Sequence, residues 1–282
     1  SFSEDVEITD FQNATILPGL IDCHTHLMYE GTGFESHEYI LNQSDHILFE
    51  IGLENLKRHI NCGVTTLFDN GGKDDITLRL REKTREKEIN RADIWASKVI
   101  LQSKLPKMRD LGGNIDADNP SEAARIVEQM IRNDHVDWIK LYATRGGLSP
   151  QLALKYGYSA TFPPETLKAI TQTAHSNGKK VGAHCVTTDG ISEFIDSGGD
   201  CIVHAEFNDA PYSPEKNQKV FNKVVDSGLF VNPTLFTAKS AILAREAKAD
   251  AINRVEEEKE NINQMKAIYS RTKETIFRFW EK

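Results

Sequence analysis

The chain has 282 residues, of which 39% are hydrophobic and 27% are charged. Its 42 acidic and 34 basic side chains give a formal net charge of -8. This composition is typical of a globular protein and argues against intrinsic disorder, while the acidic balance argues against a nucleic-acid-binding surface. The length allows either two small domains or one α/β barrel of about 250 residues.

The sequence gives no sign of membrane or export segments. No apolar run approaches the roughly 20 residues that span a bilayer, and residues 1–5 lack the basic and apolar regions of a signal peptide. The cysteines Cys23, Cys62, Cys185 and Cys201 form no C-x-x-C pair, so we expect four reduced core residues. We therefore expect a cytoplasmic protein without membrane contact, although a periplasmic or secreted protein whose leader had been removed would look the same.

Short apolar runs alternate with longer segments of helical period, which is typical of repeated βα units around a parallel sheet. The runs are rich in Val, Ile, Leu and aromatic residues, as expected for strands buried on both faces. Seven strands are predicted, at Ile16–Leu27, Val64–Asp69, Asp93–Ser97, Val136–Ala143, Lys180–Val186, Cys201–Glu206 and Leu229–Leu235.

Capping signals place the helices between these strands. Ser44 or Asp45 begins one helix that Gly63 ends, and the others begin at Pro120 and at Pro163–Pro164. The charge-rich segment 73–90 is predicted to be a solvated helix face. Segment 238–282 is also predicted to be helical, but no strand follows it. The sequence therefore suggests that the chain ends before the alternating pattern of strands and helices is complete.

Four histidines lie at predicted strand ends. His24 and His26 are two residues apart, so in a strand both side chains point to one face. His184 and His204 each end a strand, and the carboxyl ends of barrel strands are where active sites form. Each histidine alone would more simply be a hydrogen-bonded core residue. Four at equivalent positions predict a metal site, because imidazole is the usual nitrogen ligand of zinc.

Lys140 is predicted to point into the barrel. Alternation places Ile139 and Leu141 toward the surrounding helices and Lys140 inward with Trp138 and Tyr142. Burial of an ammonium group lowers its pKa, and the neutral amine can react with carbon dioxide to give a carbamate that bridges two cations. Periodicity alone leaves a second interpretation open, a lysine paired with an interior carboxylate.

These segments resemble the amidohydrolase superfamily of metal-dependent (β/α)8 TIM-barrel hydrolases, in its imidazolonepropionase-like and prolidase-like branch. The resemblance covers nearly the whole chain, and its most specific segments are Leu17–Leu27 and Trp138–Gly147. It continues through Gly63–Asp69, Val181–Ile191, Val203–Phe207 and Val231–Phe236.

The resemblance implies two divalent metal ions, expected to be zinc. His24 and His26 would bind one ion, His184 and His204 the second, and a carboxylated Lys140 would bridge them. The lysine favours the binuclear prolidase-like group over imidazolonepropionase itself. That group hydrolyses the amide or peptide bond next to a C-terminal amino acid, in Xaa-Pro, Xaa-Arg or N-acyl amino acid substrates, by means of a metal-bridging hydroxide.

The sequence departs from the family pattern in three ways. The strand 8 aspartate that serves the family as general base is not found, and its β-sandwich is missing apart from a remnant or linker in residues 1–15. We therefore expect residues 16–282 to be an incomplete barrel without strand 8, with impaired catalysis and exposed strand edges that favour association into a homo-oligomer. The third departure is Ala205, where glycine commonly follows the strand 6 histidine.

Substrate assignments remain open at this stage. Arg145 either clamps a substrate carboxylate through its guanidinium or is an ordinary arginine of a surface loop. The partner is expected to be a small molecule or dipeptide. The alternatives are a hydrolase of a cyclic amide, lactone or organophosphate, and a metal-binding protein that has lost catalysis.

Overall fold

The chain folds into parallel strands that alternate with helices. A computed structural model describes residues 9–31, 40, 42–86, 92–103, 114–116, 118–144, 161–209, 212–249 and 255–282. The strands are β1 (Leu20–Thr25), β2 (Val64–Asp69), β3 (Asp93–Ala96), β4 (Ile100–Ser103), β5 (Asn114–Ile115), β6 (Ile139–Tyr142), β7 (Val181–Cys185), β8 (Cys201–His204) and β9 (Phe230–Asn232).

Helices follow most of the strands and cover the outside of the sheet. They are α1 (Asp45–Asn61), α2 (Ile76–Arg85), α3 (Pro120–Arg132), α4 (Pro164–Ser176), α5 (Thr188–Asp196), α6 (Pro214–Ser227), α7 (Leu235–Ala249) and α8 (Val255–Trp280). The expected caps are present: the Ser44 hydroxyl accepts a hydrogen bond from the Ile47 amide at the start of α1, and proline occupies the first turn of α3 and α4.

The strands form two parallel sheets that follow each other along the chain. One sheet has the order β1-β2-β3 and the other the order β5-β4-β6-β7-β8-β9. The amide of Asp137, just before β6, donates to the carbonyl of Ala96 at the end of β3 and so links the two sheets. This is the parallel α/β architecture predicted for the barrel. The seven predicted strands correspond to β1, β2, β3, β6, β7, β8 and β9.

Two apolar clusters fill the space between sheet and helices. The larger cluster joins β6, β7 and β8 to helices α3, α4, α5 and α6, and it includes Ile139 and Leu141. The smaller joins β2 and β3 to helices α1 and α2, around Leu67 and Ile94. Ile139 and Leu141 thus face the helices, as the alternation predicts.

Some predicted boundaries were wrong. The first strand begins at Leu20 rather than at Ile16, because Pro18 has no amide hydrogen for a ladder, and Leu17 is 75% exposed. The strand predicted at Val136 begins only at Ile139, because the chain bends at Asp137 and Trp138. Strands β4 and β5 were not predicted.

Two predictions about side chains also need correction. All four cysteines are free thiols, but only Cys185 is buried, and Cys23 and Cys62 are exposed. Helix α2 is not a wholly solvated face either, because Arg81 is 3% exposed and its guanidinium donates to the Asp137 carboxylate at 2.8 Å.

The lengths and compositions of the helices bear on the expectation of no membrane contact. Within the described ranges, none of the helices combines the length and the apolar character that crossing a bilayer requires.

Candidate active site

The end of β1 places two histidines side by side. The ring centroids of His24 and His26 are 5.2 Å apart. The His24 amide donates to Asp22 Oδ1 at 2.9 Å, and His26 Nδ1 lies 2.7 Å from the carbonyl oxygen of Gly71. These contacts hold the backbone at His24 and the ring of His26, so both imidazoles have defined positions.

The ends of β7 and β8 bring the other two histidines to the same place. The rings of His184 and His204 are 4.6 Å apart, and the ring of His204 is 5.5 Å from that of His24. His204 Nδ1 lies 2.6 Å from the Thr234 hydroxyl, which fixes the orientation of its ring. The first strand therefore meets β8 across the interior, and all four imidazoles converge.

Two of these imidazoles, those of His24 and His204, are held in the neutral form. Burial lowers the pKa of His24 and His204 well below the usual 6.5, and the nearby Lys140 and neighbouring imidazoles lower it further. Among the described residues, the buried Nδ1 of His24 has no hydrogen-bond partner. Neutral imidazole is the form that binds metal ions, so the donor chemistry suits a cation.

Lys140 lies beneath this group. It is 1% exposed, and its Nζ donates to the amide oxygen of Asn70 at 3.1 Å. Within the described parts of the chain it forms no ion pair with a carboxylate, although the buried Asp69 carboxylate acts to raise its pKa. Burial lowers its pKa to about 7, which leaves much of the amine neutral and nucleophilic near neutral pH.

Asp69 supports the site from the end of β2. Its carboxylate oxygens accept hydrogen bonds from the amides of Leu27 at 2.9 Å and Gly71 at 3.0 Å. Burial raises its pKa to about 6, although these amides and Lys140 act in the opposite direction. Because Leu27 follows the histidine pair and Gly71 contacts His26, Asp69 positions the segment that carries them.

A cavity of about 160 Å³ adjoins His184 and His204. Glu206 lines it and is 8% exposed, and burial raises the pKa of this carboxyl to about 7. The sequence pattern did not predict Glu206, Asn70 or Thr234 as site residues. The only signal for Glu206 was an acidic residue two positions beyond a strand-end histidine, which is weak by itself.

The structure thus brings five of the predicted site residues together, namely His24, His26, Lys140, His184 and His204. Arg145 lies outside the described residues. In the described portion no three His, Cys, Asp or Glu side chains are spaced to hold a metal ion as they stand. The convergence of neutral imidazoles and the unpartnered His24 Nδ1 nevertheless fit nitrogen ligands for a cation.

Residues 15–271 match the sequence model of the amidohydrolase family, which is most of the chain. The chain belongs to the amidohydrolase family. This agrees with the resemblance inferred from the motifs.

Relatives and solved structures extend this assignment. An uncharacterized protein of Mycobacterium tuberculosis is 28% identical to this amidohydrolase over 202 residues, covering 70% of the chain and 46% of the relative. A Xaa-Pro dipeptidase with bound methionine superposes with a TM-score of 0.71 at 20% identity, covering 94% of this chain and 63% of that one. The Aspergillus niger ochratoxinase gives 0.71 at 19% identity, covering 94% and 60%. The chain therefore spans about half the length of its curated relatives, and these structures establish its fold.

Proposed function

We propose that this amidohydrolase is metal-dependent and cleaves an amide or peptide bond next to a C-terminal amino acid, as a dipeptidase or N-acyl amino acid amidase. The observation that carries the proposal is the convergence of four imidazoles, at the carboxyl ends of β1, β7 and β8, with the buried Lys140 of β6. Two structures of the same fold, a Xaa-Pro dipeptidase and a prolidase complexed with N-methylphosphonate-L-proline, support this substrate class.

The proposed site holds two divalent cations, expected to be zinc. His24 and His26 would hold one, His184 and His204 the other, and Lys140, carboxylated on Nζ, would join them. When bound, such cations polarise a carbonyl group and lower the pKa of water from near 16 to about 7.

Hydrogen bonds within the chain fix the orientation of two proposed ligand side chains before a substrate binds. The Gly71 carbonyl fixes the ring of His26, and the Thr234 hydroxyl fixes that of His204, so little reorganisation is needed on binding. The burial of Lys140 keeps bulk water away from its amine. We further propose that Arg145 binds the substrate carboxylate through a bidentate guanidinium contact.

A substrate panel tests the proposal. The protein, expressed with any natural sequence that adjoins this chain, is loaded with zinc and assayed on Xaa-Pro and Xaa-Arg dipeptides, N-acetyl amino acids, cyclic amides, lactones and organophosphates. We expect hydrolysis of the Xaa-Pro dipeptides, the Xaa-Arg dipeptides or the N-acetyl amino acids. His184→Asn should lose about 1,000-fold or more in kcat/KM.

His175→Gln is the matched control, since this histidine pairs with Asp200 on the outside of the sheet at 2.7 Å. It should retain activity. Preference for a lactone, cyclic amide or organophosphate would favour the alternative hydrolase class. Zinc binding without turnover of any substrate would indicate a metal-binding protein and contradict the proposed activity.

A further inference from the structure

The cavity beside His184 and His204 contains a buried acidic group that the proposed mechanism does not use. Glu206 is 8% exposed, and among the described residues its Oε2 is buried without a hydrogen-bond partner. Buried carboxyl oxygens in proteins are nearly always satisfied by a donor, so the carboxyl group of Glu206, which lines the cavity, has unused capacity to accept a hydrogen bond from a ligand.

The backbone around Glu206 is held in an unusual conformation. His204, Ala205 and Phe207 have φ values of 74°, 49° and 50°, in the left-handed region that residues other than glycine rarely occupy. Such conformations persist only where the surrounding structure enforces them, and they concentrate at functional sites. Here they turn the chain immediately after β8, so that His204 and Glu206 both line the same cavity.

The remaining lining of the cavity is mixed in character. It consists of hydroxyl groups and apolar groups from the two residues after β9, from the start of α7 and from α8: Pro233, Thr234, Leu235, Thr237, Ala238 and Thr272. In the described residues, the lining includes no Lys or Arg that could neutralise Glu206. The cavity therefore suits a small cationic group that carries a short aliphatic part.

We propose that Glu206 binds the α-ammonium group of an unblocked dipeptide, which makes free dipeptides rather than N-acyl amino acids the substrates of this amidohydrolase. This inference rests on the proposed function. The α-ammonium nitrogen is separated from the scissile carbonyl carbon by only one atom, so it must lie close to the imidazoles, as this cavity does.

The test compares three ligands that cannot be hydrolysed. They are ketomethylene analogues of Ala-Pro with a free amino group, with an acetylated amino group, and with the amino group replaced by hydrogen. Their binding to the zinc-loaded protein is measured by isothermal titration calorimetry, with metal content and thermal stability determined for every variant. The hydrogen analogue removes the charge without adding bulk, so it separates charge recognition from steric exclusion.

We expect the wild-type protein to bind the free-amino analogue about 10- to 100-fold more tightly than the other two, as is typical of a charge-assisted hydrogen bond. Glu206→Gln should reduce that preference to within about threefold while metal content stays unchanged. Glu193→Gln is the matched control, because Glu193 also has a buried unpartnered oxygen but lies on α5 outside this cavity. It should keep the wild-type preference.

Four results would overturn the inference. These are equal wild-type binding of the free-amino and hydrogen analogues, tighter binding of the acetylated analogue, an unchanged preference in Glu206→Gln, and loss of metal from Glu206→Gln, which would assign Glu206 to the metal. Failure of all three analogues to bind to the zinc-loaded wild-type protein would instead contradict the proposed function itself, and the inference with it. If Glu206→Gln does not fold, the binding of the three analogues to the wild-type protein still shows whether the ammonium group is recognised.

Discussion

At the scale of single residues, burial determines which form of each ionisable group the protein holds. The same desolvation that lowers the pKa of Lys140 to about 7 raises that of Glu206 to about 7. A charge on either group is therefore costly unless an opposite charge lies close to it. Outside the site, in contrast, the buried Arg81 guanidinium is paired with the Asp137 carboxylate.

Asp137 should make stability depend on pH in acid. Its burial raises the pKa, but hydrogen bonds from the Ala96 amide and the Arg81 guanidinium outweigh this and hold the pKa below the usual 3.8. A depressed pKa contributes stability above about pH 4, and that stability is lost as pH falls through the lower, folded-state pKa. Urea unfolding of wild type and Asp137→Asn should therefore differ most near pH 7 and converge below pH 4.

Near pH 7 we expect Asp137→Asn to lower the free energy of unfolding by about 3 kcal/mol, because the Arg81 side chain, 4% exposed, loses its charged partner. Glu54→Gln is the control, since Glu54 is 52% exposed and its ion pairs with Lys57 and Arg58 are on the surface. It should cost at most about 1 kcal/mol. A pH-independent difference between Asp137→Asn and wild type would contradict the assignment.

At the scale of elements, close packing on β7 supports the strand that carries Lys140. Gly182 lies opposite Lys140 in the register between β6 and β7. A Cβ on Gly182 would lie 2.5 Å from Cζ3 of Trp138, which is closer than atoms can approach. The indole of Trp138 also packs against Phe68, so it has little room to withdraw.

Gly182→Ala should therefore destabilise the protein by about 1–3 kcal/mol through overpacking. Chemical denaturation of Gly182→Ala, Trp138→Leu and the double variant tests the cause. The smaller side chain should accommodate the added methyl group, so the double variant should be more stable than the sum of the two single effects predicts. Additive losses would show that the clash with Trp138 is not the cause.

The end of α6 offers a second test with a different physical origin. Gly228 caps the helix at φ 67°, and an added Cβ would meet no atom within 4 Å. Gly228→Ala should cost about 1 kcal/mol from backbone strain alone, and Gly228→Asn should cost less, because asparagine tolerates the left-handed region better. Equal losses for both variants in thermal unfolding would argue against a conformational cause.

The sequence predicted the strands best where apolar runs were long and helices separated them. It missed β4 because Ile100–Ser103 follows β3 after only three residues and contains the polar Gln102 and Ser103, which are buried here. It extended the first strand too far because Ile16 and Leu17 look like core residues, yet both are exposed. In these cases tertiary contacts, rather than local pattern, decided the structure.

The same limit applies to the candidate site. The four histidines and Lys140 could be predicted because strand alternation and strand ends fix where such side chains point. Glu206 could not, because its burial depends on the left-handed turn after β8 and on the packing of the segment after β9 and of α8 around one cavity. The role of Arg145 stays a prediction, as do the division at residue 15 and the oligomeric state.

At the scale of the whole molecule, the central claim is that β1, β6, β7 and β8 bring five side chains together to hold two metal ions. No single element contains such a site, and only the curvature of the parallel sheets brings the ring of His24 within 5.5 Å of that of His204. Lys140 is the residue on which the two-ion arrangement depends, since it is the proposed bridge.

The most direct test is the number of zinc ions bound per chain, measured by elemental mass spectrometry after loading in the presence of bicarbonate and removal of free metal. We predict two ions for the wild-type protein and for the control His175→Gln, and one or none for Lys140→Met, whose side chain fills a similar volume without an amine. Retention of two ions by Lys140→Met, or a folded wild-type protein that binds no zinc, would contradict the account.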